Sequence, residues 1–528
     1  MAEIGILGSG PSAVAAALAL IKRGLKPCIV DVGQEVPGPI RTVVEDLRLK
    51  TPEEWPADEV ATLKRDMRSS AKGIPVKLSF GSDFPYRQFP GTPEFEIHGS
   101  TVRPSFALGG LSNVWGAALM PWRQEDVPDW PIQIADLKSH YEAVAKLTRL
   151  TGANDDLDVL FPGLSFQFED VSWCSQARAF HADLTRARET LLARGIHFGR
   201  GRVAIRAATP GALDGCQYCG LCAYGCPYEA IYNSATTIRA WSKAGLVDYR
   251  PGLAARRFVE KGGQVFVECE DATGGRTDLC FERLFVACGV LPTAALVLES
   301  LEKFDTTVMA RDSQYFLVPL LRAHGPRGME TERLHTLSQI FLELIDPKVC
   351  NRTVHLQTYT YNDLLPAALR NMTGPFAPFV TPMLGAVVSR LLILMGFLHS
   401  DQSQQLALTL TRTGTRRKLC VKAVPNKVTA QVIRRVVRKL YSQSRLLRAI
   451  PVGPMANAGK PGGSFHIGST FPMSTTPGSG ETDLLGRLNG FEKVHLVDAS
   501  ILPSLAATTI TFTAMANAHR IASEAAEF

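Results

Sequence analysis

The sequence predicts an α/β protein in which a parallel, nucleotide-type sheet built from both chain ends is interleaved with a second, α+β domain. Three observations carry this. At the front, Ile4-Gly5-Ile6-Leu7 is an apolar strand that runs into Gly8-Ser9-Gly10-Pro11-Ser12-Ala13 and then a helix. Residues Cys28-Ile29-Val30-Asp31 follow as a second strand ending in an acid. At the back, Val494–Pro503 leads into a helix of small residues around Ala514–Ala518. Two ends that complete one site make a single intertwined unit rather than a string of modules.

Each part of the front motif has a physical task. Gly8 permits the tight strand-to-helix turn, Gly10 lets a pyrophosphate reach the backbone, and Ala13 lets helix and strand pack closely. The helix start offers free N–H groups and the positive end of its dipole to phosphates. Asp31, 18 residues after Ala13, stands where an acid accepts ribose hydroxyls. This turn serves FAD and NAD alike.

A length of 528 residues suits two interleaved domains. An apolar share of 45% reads as globular. The first strand starts almost at residue 1, so no secretory leader is expected. Eleven cysteines, four of them clustered, point to a reducing compartment, and the expected location is cytoplasmic.

The net charge of +7 is unevenly spread: Gln402–Gly480 holds thirteen Lys/Arg and no Asp or Glu. Within it, Lys427–Arg448 reads as an amphipathic helix. Val428, Val432, Ile433, Val436, Val437 and Leu440 form its apolar face and Arg434, Arg435, Arg438 and Lys439 its basic face. Such a helix is a solvated surface element or a contact for an anionic membrane, here the inner face. No nucleic-acid module accompanies the charge. Pro375–Phe397 is almost wholly apolar but carries prolines and Arg390. A buried or membrane-resting helix fits it better than a spanning one.

In the middle of the chain, Leu108–Gly116 is a second glycine-rich turn. Helices are expected near Ile134–Leu150 and over Pro292–Leu301. Strands are expected at Val265–Cys269, Leu284–Val286, Val354–Tyr359 and Leu406–Leu410.

Taken together, Gly8–Ala13, Gly109–Gly116, Ala287–Gly289, His466–Met473 and Val497–Pro503 resemble, in order, the landmarks of the glucose–methanol–choline (GMC) oxidoreductases. The resemblance implies a Rossmann-like FAD-binding domain (1–40, 101–120, 200–300 and 460–528). It also implies an α+β substrate domain on an antiparallel sheet (121–199 and 301–459). It selects FAD, held by Gly8, Ser9, Gly10, Pro11, Ser12, Ala13, Asp31, Gly110, Ser112, Asn113, Trp115, Gly116, Ala287 and Asp498. The turn Gly110–Trp115 looks most like the pyranose-oxidase branch, which suggests a sugar or sugar-like, even lipid-linked, alcohol. Val114 replaces that branch's flavin-linking histidine, so the FAD is expected to be non-covalent.

His466 matches the family's first active-site histidine, with Met473 seven residues on. An imidazole with a pKa near neutrality suits the removal of a hydroxyl proton. The family's second His or Asn has no counterpart in Ala506–Thr511. Thr508 and Thr509 can hydrogen-bond a substrate oxygen there, but neither is a base. This departure leaves two rivals open, a flavin-dependent sugar isomerase or epimerase without net oxidation and an electron-transfer flavoprotein subunit.

Cys216, Cys219, Cys222 and Cys226 (residues 214–232 form a cysteine-rich loop) have the C-x2-C-x2-C-x3-C-P spacing of bacterial ferredoxins. Three readings stand: a [4Fe-4S] cluster, with Cys226 or a remote thiol such as Cys174 or Cys288 as fourth ligand; zinc; or structural or redox thiols. A cluster implies a dehydrogenase with a protein or quinone acceptor.

Overall fold

The computed structural model describes residues 4–65, 76–162, 164–365 and 387–525. Its first layer is a five-stranded parallel sheet in the order Val494–Leu496, Arg283–Val286, Ile4–Leu7, Cys28–Val30 and Asp248–Arg250. The N-terminal strand is therefore central, and the C-terminal one closes an edge. Strands buried on both faces read as continuous apolar runs, as Ile4–Leu7 and Leu284–Val286 do. The helix Pro11–Lys22 packs along Ile510–Ala525. Ala13, Ala16 and Ala17 on one and Ala514, Ala516 and Ala518 on the other are buried, and side chains this small let two helices come close. Ala254–Lys261, Gln264–Glu270 and Arg276–Phe281 form a separate three-stranded antiparallel sheet beside this layer.

The second layer is a seven-stranded sheet whose main path runs Ala449–Pro451, Tyr315–Arg322, Leu391–Phe397, Val354–Tyr359, Ile340–Leu344 and Ile196–Arg200, all antiparallel. A mixed five-stranded sheet lies alongside, in the order Ile467–Gly468, Thr307–Asp312, Gln405–Thr413, Arg416–Val424 and Glu94–His98. The mixed α/β character and the GMC-type division into a parallel nucleotide layer and an antiparallel layer are as expected.

The helix expected within Pro375–Phe397 needs correction. Its front part lies outside the described residues, and Leu391–Phe397 is a strand paired on both sides. Seven apolar residues in a row carry no period that separates a strand from a buried helix; neighbouring strands decide it. The basic helix forms over Thr429–Ser442. Val432, Ile433, Val436 and Leu440 enter the core between this helix, Ser175–Arg186 and one face of the seven-stranded sheet. The central part of its apolar face is thus covered by protein while Val428 at its start stays exposed, and Lys439 Nζ pairs with Asp346 Oδ2 at 2.5 Å. Among the described residues no helix is long and apolar enough to cross a membrane.

Alternation divides the seven-stranded sheet into two faces. Phe316, Val318, Leu320, Leu392, Leu394, Val354, Leu356, Ile340 and Leu342 point into the helical core. The alternate residues point the other way, toward the parallel layer: Tyr315 and Leu317, Ile393, Met395 and Phe397, His355, Gln357 and Tyr359, and Glu343. On that inner face, Phe397 stacks on His466.

Candidate active site

The cavity between the layers is lined by Gly8, Ser9, Gly10, Pro11, Ser12, Asp31, Gly110, Ala287 and Asp498. It is open to solvent at its mouth. Gly8 has φ +95°, and a Cβ there would lie 2.5 Å from the Ala287 carbonyl oxygen. A Cβ on Gly10 would meet nothing within 4 Å, because it points into the cavity. The helix that starts at Pro11 has no side-chain cap, so its first N–H groups remain available to an anion. These features fit a pyrophosphate.

Asp31 is half-buried and accepts a hydrogen bond from the Ser9 hydroxyl, which also accepts from Gly109 N at 2.9 Å. Burial raises its carboxyl to about 7. The second turn is latched to this motif from outside the cavity. Ser112 Oγ accepts from Ser234 N at 3.0 Å, Asn113 Oδ1 accepts from the Asn233 amide at 2.9 Å, and Trp115 Nε1 donates to the Tyr232 carbonyl at 2.9 Å. These bonds shape the turn, and its Gly110 and Leu111 line the cavity. Asn233, missed by the sequence reading, is the N-cap of the helix Ser234–Lys243; an Asn just before a helical stretch was its available signal.

Asp498 links the two chain ends. Its carboxylate accepts from Gly289 N (2.8 Å), Thr293 Oγ1 (2.5 Å) and Ser500 N (2.9 Å). It caps the short turn Ala499–Ile501 and at the same time lines the cavity.

At the far end of the cavity stand Phe465, Ile467, Ile510 and Thr511, the flanks of His466 and of Thr508–Thr509. His466 stacks on Phe397 with ring centroids 4.9 Å apart, and its Nδ1 is buried without a partner. Phe397 also packs on Ala507, so the histidine and the 506–509 segment meet at one ring. Burial pushes the imidazole down to about 4, with His355 adding to the effect. His466 is therefore neutral at physiological pH, with an unprotonated ring nitrogen but a weaker basicity than a free imidazole.

The two threonines differ. Thr509 Oγ1 accepts from Met120 N at 3.0 Å, whereas the buried Thr508 Oγ1 has no partner. Thr508 is the free hydroxyl of the pair.

Asp312, also absent from the sequence reading, holds the histidine loop. Its carboxylate, fully buried and raised by that burial to about 7, accepts from Gly462 N at 2.7 Å and Ser464 Oγ at 2.9 Å. Ser464 Oγ in turn accepts from His466 N at 3.0 Å. Asp312→Ala strands these donors and is expected to cost about 1–3 kcal/mol. The expected signature is a lower melting temperature with kcat falling further than cofactor content; an unchanged melting temperature and kcat would remove this role.

The cysteine run does not match its ferredoxin spacing in three dimensions. Among the described residues no three His, Cys, Asp or Glu side chains are grouped to hold a metal ion. All four cysteines are free. Cys222 Sγ accepts from Thr336 N at 3.4 Å and Cys226 Sγ from Ala230 N at 3.3 Å. Burial, with mutual repulsion second, raises Cys216 and Cys219 and brings Cys226 to about 11 in the absence of a bound metal. Leu221 and Tyr224 pack with Val44, Leu47 and Leu63, which makes the run a brace for the helix Gly38–Arg48. Cys174 caps the helix Ser175–Arg186, away from the run's spacing altogether, and Cys288 lines the nucleotide cavity.

Residues 430–518, which include His466, Met473, Asp498, Thr508 and Thr509, match the family model of the GMC oxidoreductases. No curated protein sequence matches the chain. Two solved structures share its fold over nearly its whole length. Pyridoxine 4-oxidase from Mesorbium loti aligns with a TM-score of 0.61 at 14% identity, covering 99% of each chain. An FAD-dependent oxidoreductase from Chaetomium thermophilum aligns with a TM-score of 0.59 at 12% identity, covering 99% of this chain and 98% of that one.

Proposed function

We propose that the chain is an FAD-dependent oxidoreductase of the GMC type that oxidises a CH–OH group, with His466 taking the hydroxyl proton. The observation that carries this is the buried, unpartnered Nδ1 of a neutral imidazole whose chain neighbours Phe465 and Ile467 line the cavity that the Gly8–Ser12 turn also lines. The free helix start at Pro11 and the backbone at Gly10 hold the pyrophosphate, and Asp31 takes the ribose. Ala287 and Asp498 line the same cavity, and the turn Gly110–Gly116 stands over it. Bound there, FAD supplies the acceptor for the hydride that leaves the carbinol carbon. The protein's share is to orient the carbinol on the inner sheet face, exclude water with Phe397 and Ala507, and receive the proton at His466. The Thr508 hydroxyl is free to hydrogen-bond the substrate oxygen.

A second reading, isomerisation without net oxidation, is favoured by one observation. No second His or Asn stands in Ala506–Thr511, and the Thr509 hydroxyl is engaged by Met120.

The test is an absorption spectrum of anaerobically purified protein, before and after acid precipitation, followed by titration with sugars and simple alcohols. Flavin bands released by acid and bleached by an alcohol support oxidation with non-covalent FAD, as Val114 requires. Product formed with no acceptor consumed supports isomerisation. Absence of flavin overturns both. A broad iron–sulfur shoulder in the same spectrum would return the cysteine run to a redox role and direct the search to a protein or quinone acceptor; without it, oxygen consumption is assayed first.

A further inference from the structure

The end of the strand Tyr315–Arg322 gathers more positive charge than it neutralises. Asp183, 7% exposed, receives three arginines on one carboxylate: Arg322 and Arg186 at 2.5 Å and Arg448 at 3.5 Å. Arg322 is 4% exposed, and its Nε and Nη1 have no partner. Just beyond it a surface pocket opens between residues 323–329 and the start of the neighbouring strand Leu391–Phe397. Among the described residues, His324, Arg327, Tyr361 and Arg390 line this pocket, and no Asp or Glu does. It shares no residue with the cavity of the Gly8–Ser12 turn.

The walls of the pocket are tied together. Arg322 N donates to the Arg390 carbonyl and Arg390 Nε to the Arg322 carbonyl, both at 2.8 Å. Gln176, 1% exposed, joins two further sides. Its amide nitrogen donates to the carbonyls of Ser389 (3.1 Å) and Leu391 (2.8 Å), and its oxygen accepts from Tyr361 N at 2.9 Å. A Cβ on Gly325 would lie 2.3 Å from the Ser389 carbonyl oxygen, so the two segments touch backbone to backbone. Arg390 is held through its Nε, which leaves its terminal nitrogens open. Those nitrogens and the Arg327 guanidinium have no hydrogen-bond or ion-pair partner among the described residues.

A guanidinium does not lose its proton in a protein, so such a cluster cannot relieve itself by titration. An anionic ligand offsets it. Two open guanidinium groups and an imidazole call for several acceptor oxygens at once. A carboxylate presents two, whereas a phosphate monoester presents three and carries a charge of about −1.5 to −2 at pH 7. Guanidinium forks also match phosphate oxygens in pairs. We propose that this pocket is a phosphate-binding site, in which Arg327 and Arg390 hold the oxygens and His324 adds a further donor. Arg322 and Arg448 supply positive charge behind them. The ligand is a soluble phosphate ester or a phospholipid headgroup, which present the same group. The site stands apart from the oxidation chemistry and does not depend on it.

The test is a calorimetric titration of the full chain with inorganic phosphate at constant ionic strength. FAD is present in excess, so that the helix start at Pro11 does not compete for the anion. Saturable binding is expected, and Arg327→Gln should weaken it about tenfold or more, the size of one charge-assisted hydrogen bond. Arg390→Met should act alike. If it fails to fold, Arg327→Gln still decides, because that side chain holds no described bond. Arg416→Gln, which removes an equally exposed charge outside the pocket, should leave the affinity unchanged. Sedimentation with vesicles then separates the two sources. Vesicles of equal parts phosphatidylcholine and phosphatidic acid that carry down the wild type but not Arg327→Gln would support a headgroup. Phosphate binding without any vesicle binding would support a soluble ester. Absence of both, or losses as large in Arg416→Gln as in Arg327→Gln, would overturn the proposal.

Discussion

His466→Ala is expected to yield a protein that folds, binds FAD and no longer passes electrons from an alcohol to it. The loop around residue 466 is held by Asp312 through Gly462 and Ser464, and the imidazole Nδ1 has no partner to lose. The structural cost is limited to stacking on Phe397. The chemical cost is the base, which contributes about 10²–10⁴-fold to rate. Flavin content after gel filtration should match wild type, while anaerobic bleaching by substrate slows by at least about a hundredfold. An unchanged bleaching rate would show that another group takes the proton. The same residue sets a pH expectation. A base acts when neutral, and burial lowers this imidazole to about 4. The acid limb of kcat/KM should therefore fall below the ordinary histidine value of about 6.5, and should vanish in His466→Ala. A limb at or above that value would assign it elsewhere.

The second large effect separates two glycines two residues apart. Gly8→Ala puts a methyl group 2.5 Å from the Ala287 carbonyl oxygen at a backbone φ of +95°. The obstacle is the backbone of a neighbouring strand, which has no room to yield, and the left-handed conformation disfavours any Cβ. The parallel sheet must open, and the expected result is loss of soluble, folded protein or a destabilisation of at least about 3 kcal/mol. Gly10→Ala meets no protein atom within 4 Å and has φ −72°. Its fold should melt as wild type when stripped of cofactor, yet retain FAD poorly, because the methyl group enters the space meant for pyrophosphate. Equal behaviour of the two variants in denaturant melts of stripped protein would refute the division of labour.

The contrast shows what a sequence makes readable. Gly8–Ala13 is legible because backbone geometry itself demands residues without side chains, and Asp498 through the resemblance of Val497–Pro503 to the family's landmark. The strand Leu391–Phe397 was not legible as a strand. An unbroken apolar run gains a direction only when Tyr315–Arg322 and Val354–Tyr359 pair with it. The inner-face set Glu343, His355, Gln357 and Tyr359 escaped for a similar reason. Three of these alternate along one strand and the fourth comes from its neighbour, so the pattern exists only across the register. Asp312 lies about 150 residues before the loop it anchors, and nothing local marks it. The cysteine run shows a limit of spacing alone: its C-x2-C-x2-C-x3-C pattern fits a cluster, zinc or structural thiols, and Leu221 and Tyr224 within it pack on the helix Gly38–Arg48.

The parallel sheet also sets a timetable for synthesis. Ile4–Leu7 is made first but sits at the centre, flanked by Arg283–Val286, while the edge strand Val494–Leu496 is made near the end. The helix Pro11–Lys22 likewise waits for Ile510–Ala525. On a ribosome adding about 5–20 residues per second, the nascent N-terminal strand and its apolar helix face spend tens of seconds without their partners. The cavity takes residues from both parts, Gly8–Ser12 from the first and Asp498, Thr511 and Ala514 from the last, so it forms only after the later segment has been made and docked.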